Sequence, residues 1–98
     1  MIKISLKKEN ERIKEVTLKG HALYEDIGKD IVCASVSSIV ITTVNGILSI
    51  DNDAIKVDEK GFVITVLKDD EVTNKLLLNM INLLKELSEE YPNNIKFL

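Results

Sequence analysis

The sequence predicts an α+β fold, a two-layer sandwich in which a mixed sheet carries two helices on one face. Three observations carry that prediction. Period-2 apolar alternation opens the chain, two long stretches of three-and-four apolar spacing follow, and short β-branched runs lie between and after them. The order read off is β-β-α-β-β-α-β. Its 98 residues fit one domain over residues 1–98.

Ile2, Ile4 and Leu6 alternate with Lys3 and Ser5, which predicts a half-buried strand at the N-terminus. Lys8 to Glu11 reads as a turn, and Arg12 to Lys19 as the returning strand of a hairpin. Its alternation through Ile13, Val16 and Leu18 is imperfect, as a bulge would make it. Gly20 to Lys29 then breaks the pattern and reads as a connection with no packed face of its own.

Ile31 to Ile50 is uncharged for twenty residues, long enough to span a bilayer. Seven of those residues are Ser, Thr or Asn, so a buried core helix is the better reading. Val32, Val36, Ile39, Val40, Thr43, Val44, Ile47 and Leu48 give it helical periodicity, and Asp30 stands where an N-cap belongs. Asn45-Gly46 inside the run predicts either a frayed end or a close backbone contact.

Asp51 to Asp53 reads as a turn and Ile55 to Val57 as a short strand. After a hairpin turn over Asp58 to Gly61, Phe62 to Leu67 is the most apolar strand, which predicts a central place in the sheet. Asp69-Asp70-Glu71 puts negative charge at the start of the second helix. The stripe predicted for that helix is Val72, Leu76, Met80, Leu83, Leu84, Leu87 and Tyr91. Pro92-Asn93-Asn94 stops it, and Ile95 to Leu98 can add a last strand.

A net charge of −3 and a pI near 5.1 argue against nucleic acid as a direct partner, since phosphate recognition needs clustered Lys and Arg. One cysteine cannot close an internal disulfide, and no charged and apolar leader opens the chain, so the cytoplasm is the expected compartment. A core built on Ile, Val and Leu with only four aromatics predicts marginal stability for a monomer, which dimerisation would relieve.

Chemistry concentrates in one place. The single histidine, His21, and the single cysteine, Cys33, flank the break between strand and helix, twelve residues apart. Cys33 follows the presumed cap by three residues, in the first helical turn, where unpaired N–H groups and the macrodipole stabilise a thiolate. Were His21 to reach it, the two would form a thiolate–imidazolium couple: Cys33 attacks a peptide carbonyl, and His21 passes a proton to the leaving amine. Backbone N–H groups at the same helix end suit an oxyanion hole.

The bland readings weigh against this. A lone cysteine near an apolar helix is ordinarily a small hydrophobe, and a lone histidine at a strand end is ordinarily a surface or capping residue. Spacing alone therefore favours no catalytic pair. Two ligands without a third do not make a structural zinc site, and no cofactor is implied. Asp30 is a helix cap or the group that orients His21, or both. Ser37, one turn after Cys33, lines the site or bonds back to the carbonyl four residues earlier. Gly20 and Gly28 serve turn chemistry or act as loop hinges. Glu25 and Asp26 are solvated loop charges or a lure for a basic substrate segment.

Gly20-His21-Ala22, Gly28, Asp30-Ile31-Val32-Cys33-Ala34 and Ser37 together resemble the ribosomal-processing cysteine proteases of bacteria, the Prp family. The likeness extends over the whole chain, including Val44-Asn45 and Glu89-Glu90-Tyr91. It implies a catalytic His21 and Cys33, with Asp30 and Ser37 in supporting places, and a flexible loop from Ala22 to Lys29. It also implies a homodimer, and as substrate the N-terminal extension of a large-subunit ribosomal protein. The runner-up is a module that binds such a tail without cutting it. The sequence departs from the family pattern at Ser35, where Ala or Gly is common, and in Leu23 to Ile27, which lacks an additional His and Gly.

Overall fold

The computed structural model describes residues 1–20, 31–60 and 62–98. Along them run β1 (Ile2–Glu9), β2 (Arg12–Lys19), α1 (Ile31–Ile50), β3 (Ile55–Asp58), β4 (Val63–Val66), α2 (Glu71–Glu90) and β5 (Ile95–Phe97). The element order is the predicted one and the fold is α+β. The strands make one sheet in the order β3-β4-β2-β1-β5. It is mixed, because β5 runs parallel to β1 while the other pairs are antiparallel.

Alternation sets which face of the sheet is buried. Ile2 and Ile4 of β1 are inaccessible, whereas Lys3 between them is exposed. The predicted bulge is present: Lys7 lies opposite Glu15 and Lys8 opposite Ile13, which leaves Lys14 as the additional residue. That one insertion lets Ile13 and Val16, three apart, both face the core. β1 also outlasts the predicted strand, since Lys8 and Glu9 still pair, and the turn narrows to Asn10 and Glu11 with φ of 53° and 65°. Those values suit a tight two-residue hairpin turn.

The apolar strand β4 is not central. It lies between β3 and β2, and β2 takes the middle. Connectivity decides this: the β3–β4 hairpin docks on the free side of β2, and β5 returns to the far side of β1. Apolar content alone does not report that order.

α1 buries Val32, Cys33, Val36, Val40, Val44 and Ile47 into a core shared with Ile2, Ile4, Val16, Leu18 and Ile64 of the sheet. Gly46 neither frays the helix nor admits a neighbouring backbone. The helix continues to Ile50, and a Cβ at Gly46 would meet nothing within 4 Å.

α2 is capped by Asp70, which accepts the Thr73 N–H at 2.7 Å and the Thr73 hydroxyl at 3.1 Å. Its core face is Thr73, Leu77, Met80, Ile81 and Leu84, rotated roughly 60° from the predicted stripe at 100° per residue. Val72, Leu83 and Tyr91 are instead 51%, 40% and 37% exposed. Leucines almost encircle this helix, so periodicity admits more than one stripe. Polar contacts fix its rotation: buried Thr73 is tied to the cap, and Asn74 accepts the Ile13 N–H at 3.2 Å.

Candidate active site

Cys33 is the third residue of α1 and is 3% exposed. Among the described residues, two opposing influences on its sulfur can be read. The first-turn N–H groups and the helix dipole favour the thiolate, and the first turn holds no acidic side chain to offset them. Burial opposes, because a charged sulfur loses hydration.

The direction in which Cys33 points along α1 is shared by Val36, Ser37, Val40 and Ile41, by helical geometry. These four, with Leu18 of β2 and Phe62 before β4, line a small cavity. Ser37 is therefore on the Cys33 side of the helix. The bond to the carbonyl four residues earlier, the ordinary use of a helical serine, is made by Ser35, whose Oγ donates to the Ile31 carbonyl at 2.8 Å. Ser35 borders a different groove on the opposite side of α1, with Ala34, Ser38 and Leu87. The departure from the family pattern at Ser35 thus falls away from the sulfur.

Gly20 ends the second strand in a conformation that demands glycine. Its φ is +144°, and a Cβ there would lie 2.2 Å from the Met1 carbonyl oxygen and 2.8 Å from the Ile2 Cα. The end of β2 is thereby held against the start of β1. Two residues earlier, Leu18 packs beside Val36 and Ser37, and its N–H donates to the Phe62 carbonyl at 3.1 Å. The sheet so brings the strand that precedes His21 against the helix that carries Cys33. His21, Gly28 and Asp30, together with Glu25, Asp26 and the loop over residues 22–29, lie outside the described residues.

Leu18, Ile41 and Phe62 complete the surroundings of Ser37, and sequence reasoning missed all three as site residues. Each reads as an ordinary apolar member of its element. The one available signal was the rarity of aromatics, since Phe62 is one of four.

The chain matches the family model described as cysteine protease Prp over residues 1–96. The ribosomal processing cysteine protease Prp of Staphylococcus aureus is 28% identical over 102 residues, 98% of this chain and 96% of that protein. The protein of the same name from Mycoplasma genitalium is 35% identical over 81 residues, 79% of each chain. Among solved structures, the S. aureus protease Prp with a covalently linked product peptide superposes with a TM-score of 0.85 at 29% identity, covering 99% of this chain and 97% of that one. The same protease with a substrate peptide gives 0.83 at 28% identity, covering 100% and 98%. With its element order, its Cys33 at the mouth of α1 and a match that leaves only two residues outside, the chain belongs to the Prp family of cysteine proteases.

Proposed function

We propose that this protein is a cytoplasmic cysteine endopeptidase that removes the N-terminal extension of a bacterial large-subunit ribosomal protein during ribosome maturation, acting as a homodimer. Family membership supports the reaction class, and the names of the S. aureus and M. genitalium relatives support a ribosomal substrate. The S. aureus structures with product and substrate peptides support a peptide as the bound substrate.

The observation that carries the assignment of residues is the placement of Cys33 in the first turn of α1, against the strand that leads into the single histidine. Cys33 is the nucleophile and His21 the base. The thiolate Sγ adds to the scissile carbonyl, and the oxygen that becomes negative is met by N–H groups at the helix start. His21 gives its proton to the leaving amine as the C–N bond breaks, leaving a thioester on Cys33. Water, deprotonated by His21, then releases the acyl fragment and restores the thiol. Asp30 caps α1 and orients His21, Ser37 lines the Cys33 side of the helix, and Gly20 and Gly28 are the hinges of the intervening loop.

The test is incubation under reducing conditions with a peptide carrying the tail sequence of the host's own ribosomal protein, read by mass spectrometry. A single cut by the wild type, absent in Cys33→Ala, is expected. Equal cleavage by that variant would defeat the assignment. Burial of the sulfur favours one competing reading, a tail-binding module that does not cut. Alkylation separates the two: at pH 6 a paired nucleophile reacts with iodoacetamide faster than an ordinary thiol, and loses the excess in His21→Ala. A wild-type rate no faster than an ordinary thiol's supports the module. Sedimentation of the pure protein at micromolar concentration tests the dimer.

A further inference from the structure

Strand pairing gathers a row of charge that the chain order scatters. Lys3 of β1 lies directly opposite Lys19 of β2 on one side and Lys96 of β5 on the other. All three are exposed while Ile2, Ile4, Leu18 and Ile95 beside them are buried, so the row stands on the face of the sheet that the helices leave open. Neighbouring strands are about 4.8 Å apart, which makes the row about 10 Å long. Among the described residues, none of the three has an ionic partner. Like charges directly opposite one another weaken a sheet, and here that cost is incurred twice. A lysine on an edge strand such as β5 ordinarily deters pairing with other chains, but β1 and β2 are inner strands. By register, Lys7 and Lys56 share this face, against Glu15 and Asp58 as its carboxylates. The face is therefore basic in a chain whose net charge is −3.

We propose that the row of Lys19, Lys3 and Lys96 docks the phosphate backbone of double-helical RNA and so holds the protein beside a ribosomal substrate. The choice of RNA rests on the peptidase reading above, whose substrate is a ribosomal protein. Successive phosphates of one strand advance about 3 Å along a duplex, so a row of this length meets about three of them, more than one small anion could use. Lysine is a compact point charge that binds phosphate without fixing its orientation, and the Ser5 and Thr17 hydroxyls of the next row add neutral donors. The described residues of this face include no aromatic ring on which a base could stack, so binding is to the backbone and indifferent to sequence. The row also lies at the catalytic end of the sheet, since Lys19 precedes Gly20 and β2 leads from there to His21. Net charge argued against nucleic acid because these lysines are far apart in the chain, and register reverses that expectation.

The experiment is fluorescence anisotropy of a labelled RNA hairpin titrated with the full chain. Between about 50 and about 200 mM KCl the affinity should fall roughly 20- to 40-fold, the dependence expected of three phosphate contacts. A hairpin with a scrambled stem should bind equally well. The double variant Lys3→Gln, Lys96→Gln should bind at least tenfold more weakly at the lower salt and lose most of the salt dependence, whereas Lys75→Gln on the exposed side of α2 should behave as wild type. Removing like-charge repulsion should leave Tm equal or higher, which separates lost binding from lost folding, and Lys96→Glu on the edge strand gives a second variant with the same expected loss. Equal affinity in wild type and the row variants overturns the proposal. So does polyglutamate that competes as well as the hairpin, which would make an acidic protein the partner. Cleavage of the free tail peptide, measured alongside, should be unchanged by the row variants. A wild type that binds the hairpin but cuts no peptide overturns the peptidase reading and leaves the RNA surface standing.

Discussion

Gly20 shows how much can rest on a missing carbon. Its φ of +144° excludes ordinary side chains, and the Met1 carbonyl occupies the space a Cβ would need. Both obstacles are backbone, so neither yields by a rotamer change. Gly20→Ala should therefore cost more than about 3 kcal/mol, since strain and steric overlap act together. For a domain of this length each kcal/mol lowers Tm by roughly 4–8 °C, so a thermal melt should show a loss of more than about 10 °C. A loss under 3 °C would mean that the ends of β1 and β2 separate readily. Sequence reading marked Gly20 as a hinge or turn residue, because glycine after a strand announces conformational freedom. It could not announce the collision with Met1, which depends on β1 and β2 being paired. The place of Cys33 in the first turn of α1 was legible for the opposite reason, because where a residue falls in a helix is a matter of local spacing.

At the scale of the element, the two helices differ in how they are specified. α1 was legible almost to its ends, because one stripe of Val and Ile faces the sheet while Ser, Thr and Asn fill the other side. Its Gly46 has no structural task visible in the fold: the position is helical and the space around a Cβ is open. Gly46→Ala should raise stability by about 0.5–1 kcal/mol, because alanine loses less backbone freedom on folding and prefers the helix. A shift of several degrees upward in Tm checks this, and a downward shift would show that the position is crowded in solution, as in a dimer. The stripe of α2 was misjudged because its leucines occupy several faces, and hydrophobic spacing then leaves rotation undetermined. Asp70 and Thr73 settle it. Asp70→Ala should cost about 1 kcal/mol, the usual worth of an N-cap, and Asp70→Asn, which can still accept the Thr73 N–H, should recover most of it. Urea denaturation of the two variants gives the comparison directly.

At the scale of the whole molecule, the sheet order was the part that local patterning left open. Apolar content put β4 at the centre, but the centre belongs to β2, which pairs with β1 on one side and β4 on the other. The connections that bring these distant segments together are held on the outside by exposed ion pairs. Arg12 of β2 binds Asp69 and Glu71, which raises its guanidinium further, first through the hydrogen bond to Asp69. Lys68 binds Asp51 at 3.0 Å, joining the segment after β4 to the turn after α1.

Asp51 has a consequence for acid stability. Its carboxyl is held below the ordinary aspartate range, chiefly by the hydrogen bond from Lys68 and then by the Asp53 N–H. Because the folded value lies below the unfolded one, the folded state binds fewer protons in this range. The stabilisation is therefore fully present above about pH 4 and declines as pH falls through the depressed value. Lys68 is shifted upward by the same partner, so its share is present at neutral pH and is lost only in strong alkali. Asp51→Asn should accordingly lower Tm slightly at pH 7, and the gap from wild type should close as melts are repeated towards pH 2. Lys68 is exposed and Asp51 partly so, and 1 M salt should therefore narrow the gap at pH 7 too. A gap that persists unchanged from pH 7 to pH 2 would assign the effect of the substitution to the Asp53 turn and not to the charge on Asp51.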